Sequence, residues 1–228
     1  MSTKQEIFTL LGGRVKIHRG IYNPTSDAVW LAAFAPNTAH SILDVGIGTG
    51  GVALCIHAHN PNAKITGLDT NPEMLTACAN NANLNAWSDL ELINADITTW
   101  RTNRTFDLVV TNPPYFNGTP AHHNAHHNAD LDTWVSRCIA RVRPMGTFCI
   151  ITDASTIGIV IAQMAKKLGD INIFPLFGAK STAERVLISG RLGTHGISVL
   201  HTGLSMNCEP ILRDGLTIAD FLSKLSQQ

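Results

Sequence analysis

Residues 41–60 hold the most restrictive pattern in the chain. Ser41-Ile-Leu-Asp-Val45 is a compact apolar run, and Gly51–Asn60 is a second apolar stretch that stops at Pro61. Between them stands Asp44-Val-Gly46-Ile-Gly48-Thr-Gly50-Gly51. A short strand, a glycine turn and a helix in that order belong to an open α/β sheet. The alternation continues with strands at 63–69, 90–96, 106–112 and 146–152. Helices are predicted from Pro72 to about Asn83, capped by Asn71, over Leu131–Val142 before Pro144, and over Ile157–Leu168. Apolar runs follow at Ile171–Phe177 and Arg185–Ser189, then an edge-strand candidate at Ile197–Leu200 and a short helix at Ile218–Leu225. Such alternation implies a largely parallel sheet with helices on both faces.

Composition narrows the classes. A chain of 228 residues with 44% apolar content builds a real core, and no stretch reads as a linker, so one structural domain is expected. The longest apolar run, Ala28–Ala35, is far short of the roughly 20 residues that cross a bilayer. Ile7–Leu11 is short and broken by Thr9, which argues against a signal peptide. A cytoplasmic protein without a membrane partner is expected. The five cysteines are odd in number and none is spaced C-x-x-C, against a disulfide framework and a Cys-based zinc site. They read as small buried apolar residues. No metal is expected.

The acidic residues around the glycines carry chemistry. Glycine removes Cβ, so a ligand can lie against the backbone. Gly46, Gly48 and Gly50 are spaced G-x-G-x-G, unlike the G-x-G-x-x-G of nicotinamide and flavin binders. Asp44 ends the first strand, Asp69 the second (before Thr70), and Asp96 the third (before Ile97). Singly, each carboxylate reads as a helix cap or a solvated strand end. Together they line the crevice where open α/β sheets bind ligands. Asp69 suits a pair of ribose hydroxyls, Asp96 an adenine amino group, and Ile97 the ring face. This ordered set resembles the class I S-adenosylmethionine methyltransferases over about Ser41–Thr152. The resemblance implies a single Rossmann-like domain with a mostly parallel seven-stranded sheet, and S-adenosylmethionine as methyl donor.

Asn112-Pro113-Pro114-Tyr115 follows the fourth strand and is the sharpest motif in the chain. Two prolines fix the backbone and remove two donors, so the loop presents carbonyls and the Asn112 amide. Read without its context, it is a rigid turn with a surface tyrosine. An exocyclic amine is a poor nucleophile, because its lone pair is delocalised into the ring. Acceptors aimed at its hydrogens favour the more tetrahedral, positive nitrogen of the transition state. Asn112 Oδ1 and the Pro113 carbonyl suit that role, and Tyr115 offers a stacking face for a planar base. The motif resembles amino-group methyltransferases as a class: adenine N6 in DNA or RNA, guanine N2 in RNA, or glutamine side chains in protein.

The remainder of the chain narrows that choice by resemblance. Residues 1–40 form an N-terminal segment expected to pack on a methyltransferase domain at 41–228. They are too few for the helical domain of the glutamine enzymes, and no large insertion supplies a DNA-recognition domain. Gly13-Arg14-Val15 with Asp27–Phe34 resembles the bacterial valine-tRNA adenine-N6-methyltransferases, as do Pro175–Lys180, Arg185–Arg191 and, more weakly, the Gly203 to Gly215 tail. That resemblance implies a tRNA substrate modified beside the anticodon, no obligatory protein partner, and Asp27 among the cofactor contacts. The alternatives are a ribosomal RNA guanine or a protein glutamine. Net charge is zero, with 17 basic and 17 acidic side chains, so phosphate contact would rest on local groups. Two are candidates: Arg14, Lys16 and Arg19, and Arg137, Arg141 and Arg143; an ordinary solvated face is the alternative for both, and it fits the second group at least as well. His122, His123, His126 and His127 have metal-ligand spacing if helical, but Asn-rich surroundings favour a loop. His57 and His59 read as structural or solvated.

Overall fold

The computed structural model describes residues 6–113 and 124–227, and of 124–129 the backbone alone. The chain opens with an antiparallel hairpin of β1 (Ile7–Leu10) and β2 (Val15–His18). Then come α1 (Ser26–Phe34), β3 (Ser41–Val45), α2 (Gly51–His59), β4 (Lys64–Asp69), α3 (Pro72–Leu84), β5 (Glu91–Asn94) and β6 (Phe106–Thr111). The second half has α4 (Asn124–Ile139), β7 (Val142–Asp153), α5 (Ile157–Met164), β8 (Leu168–Phe177) and β9 (Ala183–Leu192). Two-residue strands β10 (Val199–Leu200) and β11 (Leu204–Ser205) precede α6 (Glu209–Leu212) and α7 (Ile218–Leu225).

Seven strands make the main sheet in the order β8-β9-β7-β6-β3-β4-β5, and β10 and β11 extend it along β8. All pairs are parallel except those of β9, which lies antiparallel between β7 and β8. From β3 the chain steps outward to β4 and β5, then returns to β6 on the other side of β3. The strand order therefore reverses between β3 and β6, and ligands of open α/β sheets bind outside the carboxyl ends at such a point.

Both faces of the sheet are covered. Leu108 and Val110 of β6 join the core that contains α1, while Val109 between them joins the core that contains α4 and α5. This period of two is why β6 reads as a continuous apolar run. Helix α1 is buried on all sides, from Ala28 to Ala33, beneath α2, α6 and α7, so the longest apolar run has no polar face. Leu11, Val15 and Ile17 of the hairpin enter the same core. Among the described residues no helix is long and apolar enough to cross a membrane. Four cysteines are buried and Cys208 is partly so; burial pushes the Cys55 and Cys78 thiols up to about 12.

Three expectations on element bounds change. Helix α4 begins at Asn124, not Leu131, so the backbone at His126 and His127 is helical and not a loop; His122 and His123 lie outside the described residues. It also ends at Ile139, and Val142 already belongs to β7. Pro144 is tolerated there because the pairing jumps from Phe106↔Val142 to Leu108↔Thr147, a bulge in which Met145 takes φ 64°. Helix α5 stops at Met164, and Leu168 opens β8, whose hairpin with β9 needs no helix between them.

Candidate functional site

The turn after β3 needs its glycines. Gly46, Gly48 and Gly50 all have positive φ (74°, 55° and 90°), a region costly for residues with a Cβ. A Cβ on Gly50 would also lie 2.8 Å from Cys78 Sγ. The Gly46 and Ile47 amides donate to the Leu68 carbonyl at 2.8 and 3.0 Å, tying the turn to the end of β4. Asp69 then grips the loop and the next helix together: Oδ2 accepts from the Gly48 N–H at 2.8 Å and Oδ1 from the Asn71 N–H at 2.9 Å. Asn71 caps α3 by accepting from the Glu73 N–H at 2.9 Å, with Pro72 at the first helical position.

This loop walls a cavity of about 450 Å³ at the β3–β6 switch point, a volume typical of small-molecule sites. Of the residues singled out in the sequence, Gly46, Gly48, Asp69, Thr70, Ile97, Asn112 and Pro113 line it. The ends of β3, β4, β6 and the chain after β5 thus converge on one space. Pro114 and Tyr115 lie outside the described residues.

Four other expected contacts sit elsewhere than the lining. Gly50 is the N-cap of α2. Asp96 caps the turn that follows β5, its Oδ1 accepting from both the N–H and the hydroxyl of Thr98 at 2.8 Å. Asp27 is 3% exposed and faces Arg185, whose Nε lies 3.1 Å from its Oδ2, while Arg185 Nη1 also reaches Asp153 Oδ2 at 3.1 Å. A guanidinium from β9 thereby joins α1 to the end of β7. Asp44 is buried beneath the loop, and its Oδ2 has no hydrogen-bond partner among the described residues. Burial, and secondarily the Asp69 charge, push its carboxyl up to about 7 against the pull of the Ala53 amide. The Thr49 hydroxyl, also buried, lacks a protein partner among the described residues. Two orphaned polar atoms in and beneath one glycine loop fit a site built for a polar ligand.

Several lining residues carried no sequence signal. Tyr22, Pro24 and Thr25 come from the segment between β2 and α1, and Met74 from α3. Tyr22 is 42% exposed at the cavity, and burial of the rest, with the Asp27 charge, raises its phenol above the ordinary tyrosine range. Trp134 arrives from α4; its Nε1 donates to Thr111 Oγ1 at 3.0 Å, and that hydroxyl donates to the Val45 carbonyl at 2.8 Å. The indole also backs Gly46, where a Cβ would stand 3.3 Å from it. This chain fixes the end of β6, and hence Asn112, against the end of β3. Only the hydroxyl of Thr111, beside Asn112 in a strand otherwise apolar there, hinted at such a tie.

Most of the candidate phosphate-binding cations are already engaged. Arg14 donates to the Gly215 carbonyl at 3.1 Å, pinning the hairpin to the C-terminal tail. Arg19 pairs with Glu6 at 3.1 Å, Arg141 donates to the Thr102 carbonyl at 2.5 Å, and Arg143 pairs with Asp107. Lys16 and Arg137 are exposed.

The model of the methyltransferase small domain family matches residues 24–172. A protein named tRNA1(Val) (adenine(37)-N6)-methyltransferase, from a Flavobacteriaceae bacterium, is 32% identical over 143 residues, which cover 60% of this chain and 62% of that protein. A release factor glutamine methyltransferase from Caulobacter vibrioides is 42% identical over 86 residues, covering 37% of this chain and 30% of its own length. The chain thus spans less than two thirds of the length of the curated relatives it matches. Among solved structures, a predicted O-methyltransferase from Agrobacterium tumefaciens superposes with a TM-score of 0.65 at 22% identity, over 79% of this chain and 88% of that one. At that identity it speaks for the fold alone.

Proposed function

The chain belongs to the methyltransferase small domain family, and from that premise we propose that it transfers a methyl group from S-adenosylmethionine to the N6 amino group of an adenine in tRNA, beside the anticodon of valine tRNA. One observation carries the reading: Asn112 and Pro113 line the same cavity as Asp69 and the glycine loop. A group held by the loop and an amine held by the Asn-Pro end of β6 would share one enclosed space. The name of the Flavobacteriaceae relative supports the tRNA adenine. The Caulobacter relative supports a second reading, methylation of a protein glutamine.

Asp69, Thr70, the glycine-loop amides and Ile97 suit the nucleoside part of the methyl donor. The orphaned Thr49 hydroxyl at the cavity wall is left for its polar end, with the buried Asp44 Oδ2 beneath the loop behind it. Asp96 and Asp27 stand beside the site, each already engaged by protein groups. When bound, the donor supplies a methyl carried on a sulfonium, already activated. The residues therefore have to bind, align and polarise. Asn112 Oδ1 and the Pro113 carbonyl would accept from the two amino hydrogens and strengthen as positive charge grows on the nitrogen. Tyr115 would supply a stacking face for the extruded base. Trp134 and Thr111 hold Asn112 in place. The methylated nitrogen is acidic enough to lose its proton without a strong general base.

The test is single-turnover transfer of labelled methyl into unmodified tRNA, ribosomal RNA and protein fractions. Label should enter tRNA, as N6-methyladenine. Asn112→Ala should slow it by roughly two to three orders of magnitude, the range for loss of one aimed hydrogen-bonding group, with little change in cofactor affinity. A near-wild-type rate would overturn the mechanism, and label in protein would favour the glutamine reading.

A further inference from the structure

Asn81, on α3, is 1% exposed and belongs to none of the motifs above. Its Oδ1 accepts from the His18 N–H of β2 at 2.9 Å, and its Nδ2 donates to the Thr49 carbonyl at 2.9 Å. One amide therefore bridges the N-terminal hairpin and the glycine loop, segments far apart in the chain. One helical turn on, Asn85 accepts from the Lys16 N–H at 2.8 Å and donates to the Lys16 carbonyl at 2.6 Å. Asn81 and, four residues on, Asn85 at the C-cap of α3 together dock the edge of β2. Of the two, Asn81 alone also bonds the loop.

The loop has reason to need it. Thr49 lines the cavity between Gly48 and Gly50, both in the left-handed region, so its peptide planes are flanked by the most permissive residues available. The Gly48 amide is fixed by Asp69, and the Gly50 amide by the Ile47 carbonyl at 2.9 Å. The Thr49 carbonyl is fixed by Asn81. Its hydroxyl, buried without a protein partner among the described residues, points to a ligand at this same residue.

We propose that Asn81 is a positioning residue for the cofactor: it sets the Thr49 peptide plane, and through it the N-terminal hairpin forms part of the cofactor site. The inference rests on the reading of this cavity as a site for S-adenosylmethionine. If Asn81 only docked the hairpin, Asn81→Ala and Asn85→Ala would behave alike, since each removes side-chain bonds to β2.

The experiment measures binding of S-adenosylhomocysteine by calorimetry and melting temperature for the full chain and both variants, then KM for S-adenosylmethionine and kcat. Asn85→Ala should lower the melting temperature and leave affinity unchanged. Asn81→Ala should bind about three- to tenfold more weakly, the factor for one net hydrogen bond. It should raise KM by a similar factor, with kcat at saturation within about twofold of wild type. Hydrogen exchange on the wild type covers the case in which Asn81→Ala does not fold. Bound S-adenosylhomocysteine should slow exchange of the His18 amide together with those of the loop, because coupling between the two is reciprocal. Equal affinity of Asn81→Ala and Asn85→Ala, or unchanged His18 exchange on binding, overturns the inference alone. A wild-type protein that binds no S-adenosylhomocysteine overturns the proposed function and this inference with it.

Discussion

Replacing Asp69 by asparagine should separate the charge of this side chain from its shape. Both carboxylate oxygens already accept backbone amides, Gly48 N–H on one and Asn71 N–H on the other. An asparagine keeps one acceptor and turns its NH2 toward the second amide, so two donors face each other whichever way it rotates. That mismatch sits at a half-buried position and should cost about 1 kcal/mol of stability. Ligand binding should suffer more. Two ribose hydroxyls would lose a charged acceptor under the proposed reading, a loss of roughly 1.5–3 kcal/mol, or about 10- to 150-fold in affinity. Distortion of the Gly48 amide adds to this loss, since the same oxygen shapes the loop. Calorimetric titration with S-adenosylhomocysteine reads the affinity directly. A thermal melt confirms that Asp69→Asn is folded at the titration temperature. A folded variant with wild-type affinity would refute the assignment of Asp69 to the ribose and, with it, the placement of the cofactor in this cavity.

Two further outcomes follow from buried charge. Asp44 is raised to about 7 in the folded protein, mainly by burial, so ionising it there is unfavourable; the unfolded chain ionises near pH 4. Its protonated form favours folding, and that contribution is lost as pH rises from about 4 through 7. Asp44→Asn, which stays neutral, should therefore flatten the pH dependence of the apo protein's melting temperature between about pH 4 and 7. An identical profile for wild type and variant would contradict it. Arg185→Gln takes the guanidinium from an Asp27 carboxylate whose side chain is 4% exposed. Loss of one partner from such a pair costs about 3 kcal/mol, or roughly 6–12 °C in melting temperature for a chain of this size; a shift below about 2 °C would show that the pair adds little.

The sequence determined the local elements and the turns that line the cavity, because their causes are local. Three glycines spaced G-x-G-x-G mark a tight turn between strand and helix, and the structure places each of them there with positive φ. Asn71 with Pro72 fixed the start of α3, and the apolar run of β6 announced a strand covered on both faces. Asn112 and Asp69 stood out because each stands at the end of a strand visible in the pattern. Local chemistry misjudged α4, where Asn-rich and His-rich residues of poor helix propensity are nonetheless helical from Asn124. Strand order was also beyond local reading. Nothing within β9 says that it inserts antiparallel between β7 and β8, since apolar runs of buried strands look alike whichever neighbour they choose. Partners distant in the chain were decided by the fold alone: Arg14 with Gly215, Asp27 with Arg185, Trp134 with Thr111, and Asn81 between His18 and Thr49. A polar side chain advertises that it needs a partner. Which partner it meets is set by the path of the whole chain, because a buried donor or acceptor takes the group that packing brings within about 3 Å.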